Sequence, residues 1–95
     1  MDNKIEIYKQ YLISKNLSTN TVNSYIYDIN GFTEYLKNDY GIDIIKTKKA
    51  QILTYLVNLQ KQGKSSSTIS RTISALKNFF EFLKKDRIIN ENPAM

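Results

Sequence analysis

The sequence has no cysteine, no histidine and no tryptophan, a single proline and three glycines. It also has no apolar run approaching the roughly 20 residues a membrane span needs. The missing cysteine excludes disulfides and thiolate zinc sites, and the missing histidine removes the commonest general base and metal ligand. A secreted domain this small would ordinarily need covalent staples, so a cytoplasmic location is expected. The first ten residues are charged and polar and do not read as a signal peptide. No glycine-rich phosphate loop, nucleophile elbow or metal-ligand cluster appears, and the nine acids are scattered. No metal, cofactor or membrane partner is expected, and a self-contained enzyme is the weakest of the possible readings. Seven tyrosines invite the thought of a nucleophile, but Tyr8 and Tyr55 fall on apolar helix faces and Tyr25 at the edge of one. Core aromatics with a polar tip are the better reading for them.

What remains is an ordinary soluble composition, 41% hydrophobic and 24% charged over 95 residues, enough for one domain with one modest core. The net charge of +5 is unevenly placed. Residues 1–45 carry four Lys and six acids, a net of −2. Residues 46–87 carry eight Lys and two Arg against two acids, a net of +8, and residues 88–95 add only Glu91. A field of that sign suits a polyanion, although lysine-rich surfaces also simply keep proteins in solution.

The long stretches between Gly and Pro have helical periodicity and no strand alternation. Four helices are expected. The first covers residues 2–15, with Ile5, Tyr8 and Leu12 inward. The second begins after Ser18 and runs to about residue 38, with Val22, Ile26, Ile29, Thr33 and Leu36 inward. The third begins after Thr47 and runs to about residue 62, burying Ile52, Tyr55, Leu56 and Leu59, with Gly63 at its C′ position. The fourth begins after Ser65 and runs to about residue 86, with Ile69, Ile73, Leu76, Phe80 and Leu83 inward. Phe79 and Phe82 beside that stripe, like Tyr35 on the second helix, could be extra core or a docking surface. Ser18 and Ser65 are N-caps with Thr21 and Thr68 three residues on, and Leu17 and Val22 occupy staple positions. The segment of residues 39–46, with Ile42, Ile44 and Ile45, is expected to pack back on the core. The two halves echo each other at an offset of 47, from Ile5/Ile52 to Leu36/Leu83, which reads as two similar αα-hairpins. The expected fold is all-α: a small orthogonal four-helix bundle of two αα-hairpins.

At 100° per residue, Ser67, Ser70, Arg71, Ser74, Lys77 and Asn78 gather opposite the apolar stripe of the fourth helix, with no acid before Glu81. Asn20, Asn23, Ser24 and Tyr27 form a similar face on the second. Small polar residues let a helix approach a phosphate backbone, and Arg, Lys and Asn then reach phosphates or base edges. The two helix N-termini add free N–H groups, so Ser18, Thr21, Lys64, Ser65 and Thr68 join the candidates. The plain alternative is that Ser and Asn merely cap and solvate surface helices. Arg71 has no acid at i±3 or i±4. It is expected to meet an external anion, the alternatives being a solvated Arg or a pair across helices with Asp28 or Glu34.

Leu17-Ser18-x-x-Thr21-x-x-x-Tyr25-x-x-Asp28-Ile29-x-x-Phe32 resembles the second-helix motif of the core-binding (SAM-like) domain of tyrosine recombinases, the phage-integrase family with its XerC- and XerD-like members. Ser65-x-x-Thr68-Ile69-x-Arg71-x-Ile73-Ser74-Ala75-Leu76-Lys77-x-Phe79-Phe80-x-Phe82-Leu83 resembles the fourth-helix motif, and Asn92-Pro93-Ala94 the exit toward the catalytic domain. The resemblance implies a core-binding domain over residues 1–88 and the start of a linker to an absent C-terminal catalytic domain over 89–95. It implies that the second and fourth helices grip the duplex of a recombination core site. It also implies that the catalytic Arg, Lys, His and Tyr lie in that other domain, so that no catalytic residue is assigned here. For the full-length protein it implies strand exchange in a tetramer of recombinase subunits, the isolated domain being a monomer. Lys77 stands where the family usually carries Arg, and Lys meets phosphate as a point charge without a bidentate fork. The competing function is a helical protein–protein interaction domain whose basic face is incidental.

Overall fold

A computed structural model describes residues 3–95, and among them there are four α-helices, one short 3-10 turn and no strand. Helix α1 spans Asn3–Ser14, α2 Thr19–Tyr40, α3 Lys49–Lys61 and α4 Ser66–Lys85. The expected start of α1 at Asp2 lies outside the described residues. No described helix is long and apolar enough to cross a membrane.

The helix starts follow from local chemistry. Ser18 and Ser65 are both extended at their backbones, and each accepts a hydrogen bond from the amide three residues on, Thr21 and Thr68, at 3.1 Å. Helix α3 starts one residue later than expected. Thr47 is buried, its hydroxyl donating back to the Ile44 carbonyl, so Lys48 takes the N-cap place and its amide donates to Gln51 Oε1. The ends of α2 and α3 depend on Gly41 and Gly63, at φ 65° and 83°, where a side chain would be strained. Helix α2 runs two residues past its expected end before Gly41 stops it. Leu17 stays exposed, so the hydrophobic staple expected with Val22 is not buried.

The connection between the hairpins packs inward as expected. Asp43 caps a 3-10 turn over Ile44–Lys46, and Ile44 is fully buried. Burying a side chain of that size contributes about 1.5–3 kcal/mol, which is why this segment is not a free loop.

The most extensive helix–helix contact joins α2 to α4, with α1 laid against α2 and α3 bridging both. The core is Tyr8, Leu12, Val22, Ile29, Phe32, Leu36, Ile44, Ile52, Ala75, Leu76, Phe79, Phe80, Phe82 and Leu83. The echo between the halves holds at Leu12/Leu59, Ile29/Leu76, Phe32/Phe79 and Leu36/Leu83, all buried, but not at Val22/Ile69, where only Val22 is. Two expected faces need correction. On α4 the buried side is centred on Thr72, Ala75, Leu76 and Phe79, while Ile69 and Ile73 are only half-buried. On α2 Phe32 is fully buried and Thr33 is not. The reason is close packing. Small Ala75 and Thr72 face inward, with the Thr72 hydroxyl satisfied by the Thr68 carbonyl at 3.0 Å. Phe79 and Phe82 are core, packed on Tyr8 at centroid distances of 4.9 and 5.4 Å. Tyr55 and Leu56 are half-buried against that core. Gly31 lets Tyr55 lie against α2, since a Cβ there would stand 2.8 Å from the tyrosine oxygen.

The last residues are not extended away from the bundle. Ile89 and Ala94 pack on the core, and Asn92 donates through Nδ2 to the Lys77 carbonyl while its Oδ1 accepts from the Ala94 amide.

Candidate nucleic-acid interface

Helices α2 and α4 make the main contact of the fold, and each carries an outer polar face. Asn20, Asn23 and Tyr27 on α2 are exposed, Tyr27 at 71%, with Ser24 half-buried beside them. Ser67, Ser70, Ser74, Lys77 and Asn78 on α4 are exposed, as are Lys64 and Ser65 at its entry. The expected outward facing of both helices is therefore correct. The capping residues carry out their structural task at the same time. The hydroxyls of Ser18 and Ser65 donate to Thr21 Oγ1 and Thr68 Oγ1 at 2.9 and 3.1 Å while accepting the first-turn amides. Each of those two helix starts keeps further N–H groups unused, with the positive end of the helix dipole behind them.

Two candidates are more committed than their sequence suggests. Asn78 accepts a hydrogen bond at Oδ1 from the Tyr8 hydroxyl, which ties α1 to the outer side of α4. Burial, with Tyr25 and Tyr11 nearby, pushes the Tyr8 pKa well above that of an ordinary tyrosine. The Asn78 amide nitrogen remains for an outside partner.

Arg71 is not unpaired. Its Nε donates to Asp28 Oδ2 at 2.8 Å and its Nη2 to Asp28 Oδ1 at 2.9 Å, a bidentate bridge from α4 to α2. The Asp28 side chain is 4% exposed and that of Arg71 is 38% exposed. A buried carboxylate is tolerated only with such bonds. The hydrogen bonds to Asp28 push the guanidinium's pKa up from an already high value. Asp28 lies 43 positions away, beyond the reach of pairing along one helix, and is one of the two cross-helix partners the sequence offers. The only sequence signal for it is that Asp28 and Arg71 each sit on the side of an amphipathic helix where apolar meets polar.

The bridge links the two candidate faces. Ser24 and Tyr27 precede Asp28, and Ser67, Ser70 and Ser74 surround Arg71. Together they present hydroxyls, amides and cations around one acid, Asp28, that is buried and paired, while Glu34 on α2 and Glu81 on α4 lie further along the same faces. Such a surface is chemically fitted to an extended polyanion.

The family model described as "Phage integrase, N-terminal SAM-like domain" matches residues 5–87. Similar curated proteins include one from Caldanaerobacter subterraneus subsp. tengcongensis that carries a tyrosine-recombinase name, 42% identical over 85% of this chain and 28% of its own length. Tyrosine recombinase XerD of Oceanobacillus iheyensis is 36% identical over 96% of this chain and 31% of its own. Tyrosine recombinase XerC of Bacillus subtilis is 34% identical over 96% and 30%. The chain thus spans less than a third of the length of these relatives. No solved structure matches it significantly.

Proposed function

The chain belongs to the phage-integrase N-terminal SAM-like domain family, and from this we propose that it is the DNA-gripping module of a site-specific tyrosine recombinase. In this reading α2 and α4 hold the duplex of the recombination core site. Cleavage and strand exchange belong to a C-terminal catalytic domain reached through residues 89–95, and the full-length protein acts as a tetramer. The observation that carries the reading is the bridge from Arg71 on α4 to Asp28 on α2, which holds the acid lying between the two candidate faces in a buried ion pair. Its contact residues are Ser18, Asn20, Thr21, Asn23, Ser24, Tyr27, Lys64, Ser65, Ser67, Thr68, Ser70, Arg71, Ser74, Lys77 and Asn78. Serines and threonines at the helix starts, with Arg71 and Lys77, hold phosphates, and Tyr27 reaches further into the groove.

The test is a titration of mixed-sequence duplex DNA at several salt concentrations. About four to six phosphate contacts give a log–log salt slope of roughly −4 to −5. No binding at low salt, or a slope near zero, would favour a protein-interaction domain instead. That second reading has one observation behind it: Leu53 and Val57, one turn apart on α3, are apolar and about half exposed.

A further inference from the structure

We propose that Arg71 contacts a DNA phosphate while it stays bridged to Asp28, and that Asp28 is a positioning residue for DNA binding despite its negative charge. The inference rests on the DNA-gripping reading and adds to it how one side chain works.

The geometry carries it. The bridge uses the Nε–H and one N–H of Nη2, which leaves Nη1 and the second N–H of Nη2 without a partner among the described residues. More than a third of the side chain is exposed, so donors remain while the other edge is locked. A guanidinium is planar and rigid, and fixing one edge fixes the direction of the other. The neighbours Ser67, Ser70 and Ser74 are small and exposed, which gives a phosphate room to approach.

Release of Asp28 in favour of DNA is the competing geometry, and burial opposes it. The Asp28 side chain is almost fully enclosed, and an ionised carboxylate left there without its partner would be strongly unfavourable. The bridged form avoids that cost, and it also spares Arg71 the rotamer freedom it would otherwise lose on binding. Asp28 thus has two effects of opposite sign. Its charge repels phosphate weakly, because the ion pair neutralises it, while its fork orients the arginine. The second outweighs the first.

The sign of one substitution separates these effects. Asp28→Asn removes a negative charge from a chain of net charge +5, which on charge alone strengthens DNA binding. With a positioning role it weakens binding to a mixed-sequence duplex several-fold and lowers the steepness of the salt slope by about one. Arg71→Lys keeps the net charge and an ion pair to Asp28 but has no second edge, and it weakens binding to a similar extent. Affinities are compared below the melting temperature of each variant, so a loss of stability alone does not move them. A nitrogen-resolved NMR spectrum of the unmodified chain gives an independent reading. The Arg71 Nε–H signal stays present and protected from exchange when duplex is added, and the Nη signals shift. Binding that is unchanged or stronger in Asp28→Asn, or collapse of the Nε–H signal on adding DNA, overturns the proposal. Failure of the unmodified chain to bind any duplex at low salt overturns the DNA-gripping reading itself, which is a different result.

Discussion

The Tyr8 hydroxyl donates to Asn78 Oδ1, a hydrogen bond between residues 70 positions apart that closes α1 onto α4. Tyr8 itself is fully buried between Phe79, Phe82 and Tyr11. Tyr8→Phe keeps the ring and removes the bond, and it should destabilise the domain by about 0.5–1.5 kcal/mol in a denaturant melt. The same change should leave duplex affinity nearly unaltered, because Asn78 remains on α4.

Tyr8 also sets an alkaline limit. With no histidine in the chain, no side chain has an ordinary pKa in the middle of the pH range. Stability should therefore vary little around neutrality. Burial raises the Tyr8 pKa in the fold, whereas the unfolded chain ionises near the ordinary value of about 10. Below that value both states hold the phenolic proton and the contribution is complete. Above it the unfolded state releases the proton first, so stability falls as pH rises toward the folded value. Melts from pH 7 to 11 check this, and Tyr8→Phe should show a shallower alkaline decline.

On α4 the order of core costs should follow the observed face. Leu76→Ala removes a fully buried side chain and should cost roughly 2–5 kcal/mol. Ile73→Ala, at a half-buried position, should cost clearly less. Ser74→Ala, exposed, should change stability by less than about 0.5 kcal/mol. Thermal melts of the three variants rank them.

Gly31 and Tyr55 should be energetically coupled. Gly31→Ala places a methyl 2.8 Å from the Tyr55 oxygen and should destabilise, although alanine gains about 1 kcal/mol in helix propensity. In a Tyr55→Phe background the oxygen is gone and the alanine should become neutral or stabilising. A double-mutant cycle should show a coupling above about 0.5 kcal/mol.

Arg87 follows α4 at φ 61°, in the left-handed region, while the Ile88 amide donates to the Leu83 carbonyl. A side chain there costs about 1–2 kcal/mol in backbone strain, partly offset by the flexibility glycine brings to the unfolded chain. Arg87→Gly should raise stability by up to about 1 kcal/mol in the same melts.

Much of this was legible in the sequence wherever the physics is local. Ser18 with Thr21 and Ser65 with Thr68 mark the two best-defined helix starts, because a capping hydroxyl and its amide lie three residues apart. Gly63 marks the end of α3 for an equally local reason. The polar faces of α2 and α4 could be read from a 3.6-residue period, since a solvent-facing side needs no partner. On α4 Leu76, Phe80 and Leu83 are buried as expected, and only the first half of the face is turned, by about one position. Apolar character points to Ile69 and Ile73, but the buried positions there are the small Thr72 and Ala75. The partner of Asn78 was out of reach for a different reason: Tyr8 meets it only once the helices pack. Asp28 could be weighed as a candidate partner for Arg71, yet nothing along the chain decides between that pair and an open cation.

The central claim is that the joined face of α2 and α4 is the DNA surface, and amide chemical-shift mapping of the chain with a short duplex at low salt tests it most directly. The account predicts that the largest shifts fall on residues 18–27 and 64–78, with the outer side of α3 around Leu53 and Val57 unmoved. Shifts centred on Leu53 and Val57, or none at all at concentrations where the duplex is in excess, would contradict it.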